Sequence, residues 1–282
     1  MNGDSLLAGL TRFDAAEADI SETQEAVISP TTSLALPMLP HQQEGMERAL
    51  AFGACLLADD MGLGKTVQTL GVLLERGSGG PALVVAPTSV GDNWVRETEK
   101  FTPGLRALLY RDSDRAALIE AVGENDLVIV SYQLLQRDAK RFASRVWHTL
   151  VLDEAQFIKN SQTKTSQAVR QLDADWRIGL SGTPLENHLG ELWSLFRTIS
   201  PGLLGSWERF RTRFADPIER HKDDERRQSL ARLVRPFILR RTKDTVLKEL
   251  PPRTEITLQA ELSPAERKRY EDTRLAALAE LS

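Results

Sequence analysis

A short apolar run, Ala54-Cys55-Leu56-Leu57-Ala58, passes into Asp59-Asp60-Met61-Gly62-Leu63-Gly64-Lys65-Thr66. It continues as Val67-Gln68-Thr69-Leu70-Gly71-Val72-Leu73-Leu74, with apolar residues at helical spacing. That order predicts a buried strand, a glycine-rich turn and a helix N-terminus, an arrangement that cradles phosphate groups. Gly62 and Gly64 let the backbone approach the phosphates and turn its N–H groups inward, where a Cβ would obstruct. Lys65 brings a compact positive charge to the β- and γ-phosphates of a nucleoside triphosphate, and the Thr66 hydroxyl suits Mg²⁺. The plainer alternative is a glycine turn that happens to precede Lys-Thr, and the matching flanks weigh against it. The general pattern G-x-x-x-x-G-K-[ST] asks for glycine where this chain has Asp59, so the loop is a variant with its glycines crowded against the lysine.

The 282 residues are enough for one large domain with appendages, and 41% hydrophobic with 27% charged content is that of a globular protein. No apolar run approaches the length needed to cross a bilayer, and Met1-Asn2-Gly3-Asp4 lacks the basic start of a secretory signal, so a cytoplasmic protein with no membrane partner is expected. The single cysteine, Cys55, lies within the first strand, which excludes a disulfide framework and a cysteine zinc site. Net charge is −4, but residues 1–36 hold six carboxylates against Arg12 alone, leaving the remainder slightly basic. Overall charge therefore neither supports nor forbids nucleic-acid binding, since a basic face is a local property.

Residues 1–36 read as a flexible acidic leader with a short helix around Leu6–Leu10. Pro37 and Pro40 precede an amphipathic helix from His41 to Phe52. Strands are predicted at 82–86, 106–110, 127–131, 149–152 and 177–180, with helices between them. One of these helices opens on Ser89 with Asp92 as its capping box and runs through Phe101. Alternating strands and helices argue for an α/β fold with a doubly wound, mainly parallel sheet, whose ligands bind at the carboxyl ends of the strands. From Leu189 to Val234 the reading is helical only, with Trp193, Phe196, Trp207, Phe210 and Phe214 as core. Residues 237–251 read as a basic, irregular segment, 255–262 as a strand, and Ser263-Pro264-Ala265-Glu266 as a capped helix start.

The run Leu150-Val151-Leu152-Asp153-Glu154-Ala155-Gln156 sets two adjacent carboxylates at a strand's end. Asp153 is assigned to Mg²⁺, and Glu154 to the water that attacks the γ-phosphate. Leu180-Ser181-Gly182-Thr183-Pro184 follows another strand and forms a polar turn able to touch that water and a neighbouring element.

Together these motifs resemble the SWI/SNF-type DNA-dependent ATPases of helicase superfamily 2, and especially their bacterial members. Ala58 to Thr66 is similar to motif I, with Asp60 where Glu is usual. Leu83 to Glu97, with Ala86-Pro87-Thr88-Ser89 and Asn93-Trp94, resembles motif Ia, and Val128 to Leu135, with Ser131-Tyr132, motif Ib. Asp153 to Asn160 resembles motif II, with Gln156 where eukaryotic relatives have His. Leu180 to Leu195 is similar to motif III with its extension, and Phe237-Ile238-Leu239-Arg240-Arg241-Thr242-Lys243 to the segment leading towards a second lobe. The likeness covers roughly residues 36–282, and all of these motifs occur in order.

The resemblance implies a RecA-like ATP-binding lobe over residues 37–195 and 237–250, a helical protrusion at 196–236, and a linker with the start of a second lobe at 251–282. It implies ATP and Mg²⁺ as cofactors, with Asp60, Met61, Gly62, Leu63, Gly64, Lys65 and Thr66 holding the nucleotide. Gln42, in Leu39-Pro40-His41-Gln42, stands where relatives read adenine, although Leu39 and His41 depart from the usual Arg and Tyr. Lys65, Asp153, Glu154 and Gln156 become the catalytic set, with Thr66 and Asp153 on the metal. Double-stranded DNA is the implied partner, gripped by its phosphates near Thr88, Ser89, Ser131, Tyr132, Lys159, Lys164, Ser181, Gly182 and Thr183. For Lys159 and Lys164, solvated loop charge is the equal alternative. Arg240, Arg241 and Lys243 are left between DNA contact and bracing of the lobes. Transition-state arginines come from the second lobe in this family, so negligible hydrolysis is expected until that lobe is supplied. A non-catalytic, nucleotide-gated interaction module and the motor lobe of another superfamily 2 helicase are the competing readings. Protein cargo on DNA is a further implied partner.

Overall fold

The computed structural model describes residues 34–52, 54–111, 115–182, 188–246 and 263–280. The expected leader helix, the strand at 255–262 and Thr183 lie outside these residues. Seven strands, β1 (Ala54–Leu57), β2 (Ala82–Ala86), β3 (Arg106–Leu109), β4 (Asp126–Ser131), β5 (Val146–Leu152), β6 (Asp173–Leu180) and β7 (Ile238–Leu239), form one sheet. Their order is β3-β4-β2-β5-β6-β1-β7, and every pairing is parallel.

The helices are α1 (Pro40–Phe52), α2 (Lys65–Arg76), α3 (Gly91–Phe101), α4 (Arg115–Ala121), α5 (Tyr132–Arg137), α6 (Ala139–Phe142) and α7 (Lys164–Arg170). They continue as α8 (Leu189–Ile199), α9 (Trp207–Phe210), α10 (Asp216–His221), α11 (Asp224–Val234), α12 (Lys243–Val246) and α13 (Pro264–Glu280). The described residues up to Val246 form one compact unit, and α13 belongs to a second.

Strand alternation divides the core in two, as a doubly wound sheet requires. Leu56, Leu83, Val85, Val128, Val130, Leu150 and Leu152 face α5 to α11, against Leu192, Leu195, Phe196, Phe210, Phe214 and Leu230. Their strand neighbours Cys55, Leu57, Val84, Ile129, Val151 and Ile178 face α1 to α3, against Ala49, Leu70, Leu73 and Trp94. Both faces are covered, which is why the strands read as continuous apolar runs. A π-helical turn at Arg211–Ala215 carries the chain from α9 to α10.

Three expectations need correction. β5 and β6 begin earlier than their apolar ends suggested, because Trp147, Ala174 and Trp176 alternate with exposed residues and are themselves buried. The segment at 237–251 is not wholly irregular: Ile238 and Leu239 pair with Leu56 and Leu57 as the edge strand β7. The capping box at Ser89 does not form, since Thr88–Val90 is a 3₁₀ turn and α3 starts at Gly91 without a side-chain cap. Asp92 pairs instead with Arg111 at 2.9 Å. The first helix turns Gly45, Met46, Ala49 and Leu50 inward at helical spacing, as expected, and only Phe52 departs from that face by being exposed. The capped start at Ser263 is present, its Oγ donating to Glu266 Oε2 at 2.7 Å and accepting from the Glu266 amide.

Candidate active site

Because all seven strands run the same way, every segment after a strand emerges at one edge of the sheet. Residues 58–66 follow β1, 87–90 follow β2, 153–154 follow β5 and 181–182 follow β6. Ladder bonds carry the pairing past the strand ends: Ser181 N to Leu57 O at 3.0 Å, Asp153 N to Val85 O at 2.8 Å and Ala58 N to Leu239 O at 2.7 Å. The topology thus gathers the motif I, Ia, II and III residues at the edge where such folds bind ligands.

Gly62 and Gly64 have φ of +89° and +77°, a region that L side chains enter only at about 1–2 kcal/mol. A Cβ on Gly64 would also collide with the Gln42 amide nitrogen. Gly64 precedes the first turn of α2 and offers no side-chain cap, so the helix's leading N–H groups remain for an anion. Lys65 Nζ donates to the Asp59 carbonyl at 2.6 Å and more weakly to Asp60 O at 3.4 Å. Burial lowers its pKa, although Asp59, Glu154, Asp153 and Asp60 all favour the charged form. An ammonium stripped of part of its water interacts more strongly with a phosphate than a solvated one.

Asp153 and Glu154 lie beyond β5. The Trp94 indole N–H donates to Asp153 Oδ2 at 2.8 Å, and the Glu154 amide donates to its Oδ1 at 2.9 Å. Burial nonetheless raises the Asp153 pKa, with the neighbouring Glu154 charge adding to it. Glu154 adopts φ 48°, ψ 57°, a left-handed conformation uncommon for a residue with a side chain. Its Oε2 accepts from Gln156 Nε2 at 2.8 Å, and Gln156 Oε1 accepts from the Ser181 hydroxyl at 2.9 Å. A side-chain relay therefore runs from the end of β6 to the candidate water-orienting carboxylate.

Gln42 sits against the loop. Its Oε1 accepts from the Leu39 amide at 3.0 Å, and its Nε2 lies 3.5 Å from Leu63 O. Among the described residues no three His, Cys, Asp or Glu side chains gather into a metal site. The donor set still fits Mg²⁺, which is held by one or two protein oxygens together with phosphate oxygens and water. Thr66 and Asp153 would be those protein ligands.

The expected DNA contacts separate into two groups. Thr88, Ser89 and Lys164 are exposed, and Gly182 is half-buried. Tyr132 is buried, with its hydroxyl donating to the Asp153 carbonyl at 2.8 Å, so it supports the strand end that carries Asp153. Ser181 is likewise buried and committed to Gln156. Ser131 caps α5 by accepting from the Leu134 amide, and Lys159 pairs with the buried Glu191 at 3.5 Å. Sequence reasoning missed Trp94 as a partner of Asp153 and Asp59 as a partner of Arg241. The one signal for the latter was an aspartate in the loop's first glycine position.

Comparison with known proteins places the chain. The model of the SNF2-related domain matches residues 40–281. YwqA of Bacillus subtilis (strain 168), whose name describes an ATP-dependent helicase/translocase, is 39% identical over 303 residues, covering 96% of this chain and 32% of its own. Human TATA-binding protein-associated factor 172 is 37% identical over 77% of this chain and 13% of its own. The Sulfolobus solfataricus SWI2/SNF2 ATPase core in complex with double-stranded DNA superposes with a TM-score of 0.70 at 36% identity, over 85% of this chain and 52% of that one. The chain spans about a third of the length of the Bacillus protein and about half of the Sulfolobus core.

Proposed function

The chain belongs to the SNF2-related ATPase family, and we propose that it is the ATP-binding lobe of a double-stranded-DNA-dependent translocase. In this reading it hydrolyses ATP to ADP and phosphate when a second RecA-like lobe closes over the strand-end edge. The observation that carries the proposal is the Ser181–Gln156–Glu154 relay at the strand-end edge that also carries the phosphate loop, which holds the Glu154 carboxylate in place.

Gly62, Gly64 and the start of α2 bind the phosphates, and Lys65 leaves its loop carbonyls to meet their charge. Thr66 and Asp153 would hold Mg²⁺, with Asp153 oriented by Trp94, and the ion would supply neutralisation of the charge that develops on the phosphates. Glu154 orients and polarises the attacking water, and Gln156 keeps its carboxylate in place. Gln42 reads the adenine edge. Exposed Thr88, Ser89 and Lys164, with the turn at Gly182, meet DNA phosphates without reading sequence. In this reading the protein is cytoplasmic, and nucleoid-associated if the chain is bacterial, with protein on the DNA as a further partner.

The test is DNA-stimulated ATP hydrolysis by the chain alone and mixed with a polypeptide carrying a second lobe, with Glu154→Gln as control. An arginine finger contributes about 10³–10⁵ in rate, so turnover is expected only in the mixture and only with Glu154. Strong stimulation of the chain alone overturns the dependence on a second lobe. Nucleotide binding with silence in both preparations favours a nucleotide-gated module.

A further inference from the structure

Asp59 stands where the general phosphate-loop pattern has glycine, and it is completely buried. A buried carboxylate is costly unless it is paired and hydrogen-bonded, and every side-chain partner here but one comes from Arg241. Oδ1 accepts from the Arg241 amide at 3.0 Å and its Nε at 3.2 Å. Oδ2 accepts from Arg241 Nη2 at 2.6 Å and from Gln68 Nε2 at 3.2 Å. The same guanidinium reaches α1, with Nη1 donating to the His41 carbonyl at 2.6 Å and to Glu44 Oε2 at 3.2 Å. Nη2 also donates to Gln68 Oε1 on α2 at 3.1 Å.

One side chain therefore ties together the helix that carries Gln42, the phosphate loop and the helix that follows it. The backbone continues the arrangement, Asp60 N donating to Arg241 O at 3.0 Å and Lys243 N to Asp60 Oδ2 at 3.1 Å. That last bond brings Lys243 over the loop. Its Cε and Nζ each lie 3.3 Å from the point where a Cβ on Gly62 would stand.

We propose that Arg241 is a positioning residue for nucleotide binding, and that it seats the segment after β7 so that Lys243 offers the nucleotide's phosphates a second cation beside Lys65. The planar fork of Arg241 holds Asp59 from several directions, so the loop backbone is set before a ligand arrives. Because the seated segment contributes Lys243 to the ligand, seating and nucleotide binding are one linked equilibrium, and each strengthens the other by the same factor. The proposal rests on the nucleotide reading above. It adds a coupling between the phosphate loop and a segment nearly two hundred residues downstream.

The experiment titrates a fluorescent Mg²⁺–ATP analogue into the whole chain and follows amide exchange of residues 238–246 with and without it. Lys243→Ala removes an exposed side chain; it is expected to weaken binding about threefold to tenfold with an unchanged melting temperature. Arg241→Lys keeps the charge and loses the fork, and is expected to weaken binding about tenfold. If Arg241→Lys does not fold, Asp59→Asn with Arg241→Gln removes both charges together and takes its place. The analogue is expected to slow exchange at 238–246 in the parent chain and not in Lys65→Ala. Parent-like affinity in both the Lys243 and Arg241 variants, or exchange at 238–246 that ignores the nucleotide, overturns the proposal while leaving the nucleotide reading intact. A parent chain that does not bind the analogue overturns both.

Discussion

Gln156 holds Glu154 through a 2.8 Å hydrogen bond from Nε2 to Oε2, and its own amide is fixed by Ser181 from the neighbouring strand end. An amide in that position aims the carboxylate, and lets a change at the β6 turn reach Glu154, the proposed water-orienting group. Glu154→Gln should abolish DNA-stimulated hydrolysis in the two-lobe mixture, by about 10²–10⁴, as removal of a general base does. Nucleotide affinity should stay within about twofold. Gln156→Ala should lower kcat by about tenfold, the worth of one lost hydrogen bond to a carboxylate, and Ser181→Ala by about fivefold, the worth of one neutral hydrogen bond. Equal losses in affinity and kcat would show that the relay shapes the binding pocket and not the water.

Glu154 occupies a left-handed conformation that costs an L residue about 1–2 kcal/mol, while glycine there gives back about 0.5–1 kcal/mol through its freer unfolded chain. Glu154→Gly should therefore melt no lower than the parent chain while hydrolysis disappears. A clearly lower melting temperature would mean that the Gln156 hydrogen bond outweighs the backbone strain.

Arg106 and Asp126 face each other across β3 and β4, with guanidinium-to-carboxylate bonds of 2.7 and 2.6 Å and a third bond from the Gly123 amide at 2.8 Å. Burial pushes the Asp126 pKa up, but those three donors and the nearby Arg145 charge push it down further, so the net shift is downward. A carboxyl with a depressed folded pKa stabilises above its unfolded value, and loses that contribution as pH falls through the folded one. Asp126→Asn should cost about 1–2 kcal/mol at pH 7. The gap from the parent should narrow progressively below about pH 4, where the unfolded carboxyl protonates. Urea melts of both proteins across pH 3–7 check this, and a gap independent of pH would assign the loss to packing.

Cys55 is buried in β1, and burial pushes its thiol pKa up to about 12. The thiolate is the reactive species, so thiol reagents should fail to modify the native chain at pH 8 and should modify it fully in denaturant. Rapid modification without denaturant would reveal local opening of β1, which lies beside the edge strand β7.

How far the sequence could be read depended on whether a feature was local. The strand, glycine loop and helix from Ala54 to Leu74 were legible because apolar spacing and positive-φ glycines are properties of adjacent residues. Asp153 and Glu154 were legible for the same reason. β7 was not, since two apolar residues among arginines carry no period, and Ile238 and Leu239 become a strand only by pairing with Leu56 and Leu57. Ser89 looked like a helix cap by local chemistry alone, yet tertiary packing starts α3 two residues later. Tyr132 and Ser181 read as DNA contacts because their types suit phosphates, whereas their burial and their bonds to Asp153 and Gln156 are set by packing that no local pattern shows.

The sequence by itself determined the fold class, the phosphate loop, the carboxylate pair and their appearance in the order that the SNF2-related family shares. Each is written in the spacing of neighbouring residues. Tertiary structure alone decided which distant side chains aim and brace that chemistry: Trp94 on Asp153, Ser181 on Gln156, and Arg241 on Asp59 across 182 positions of sequence. The physical reason is that a parallel sheet brings all its strand ends to one edge whatever their separation along the chain. Residues with no local relationship are thereby placed within hydrogen-bond reach of one another.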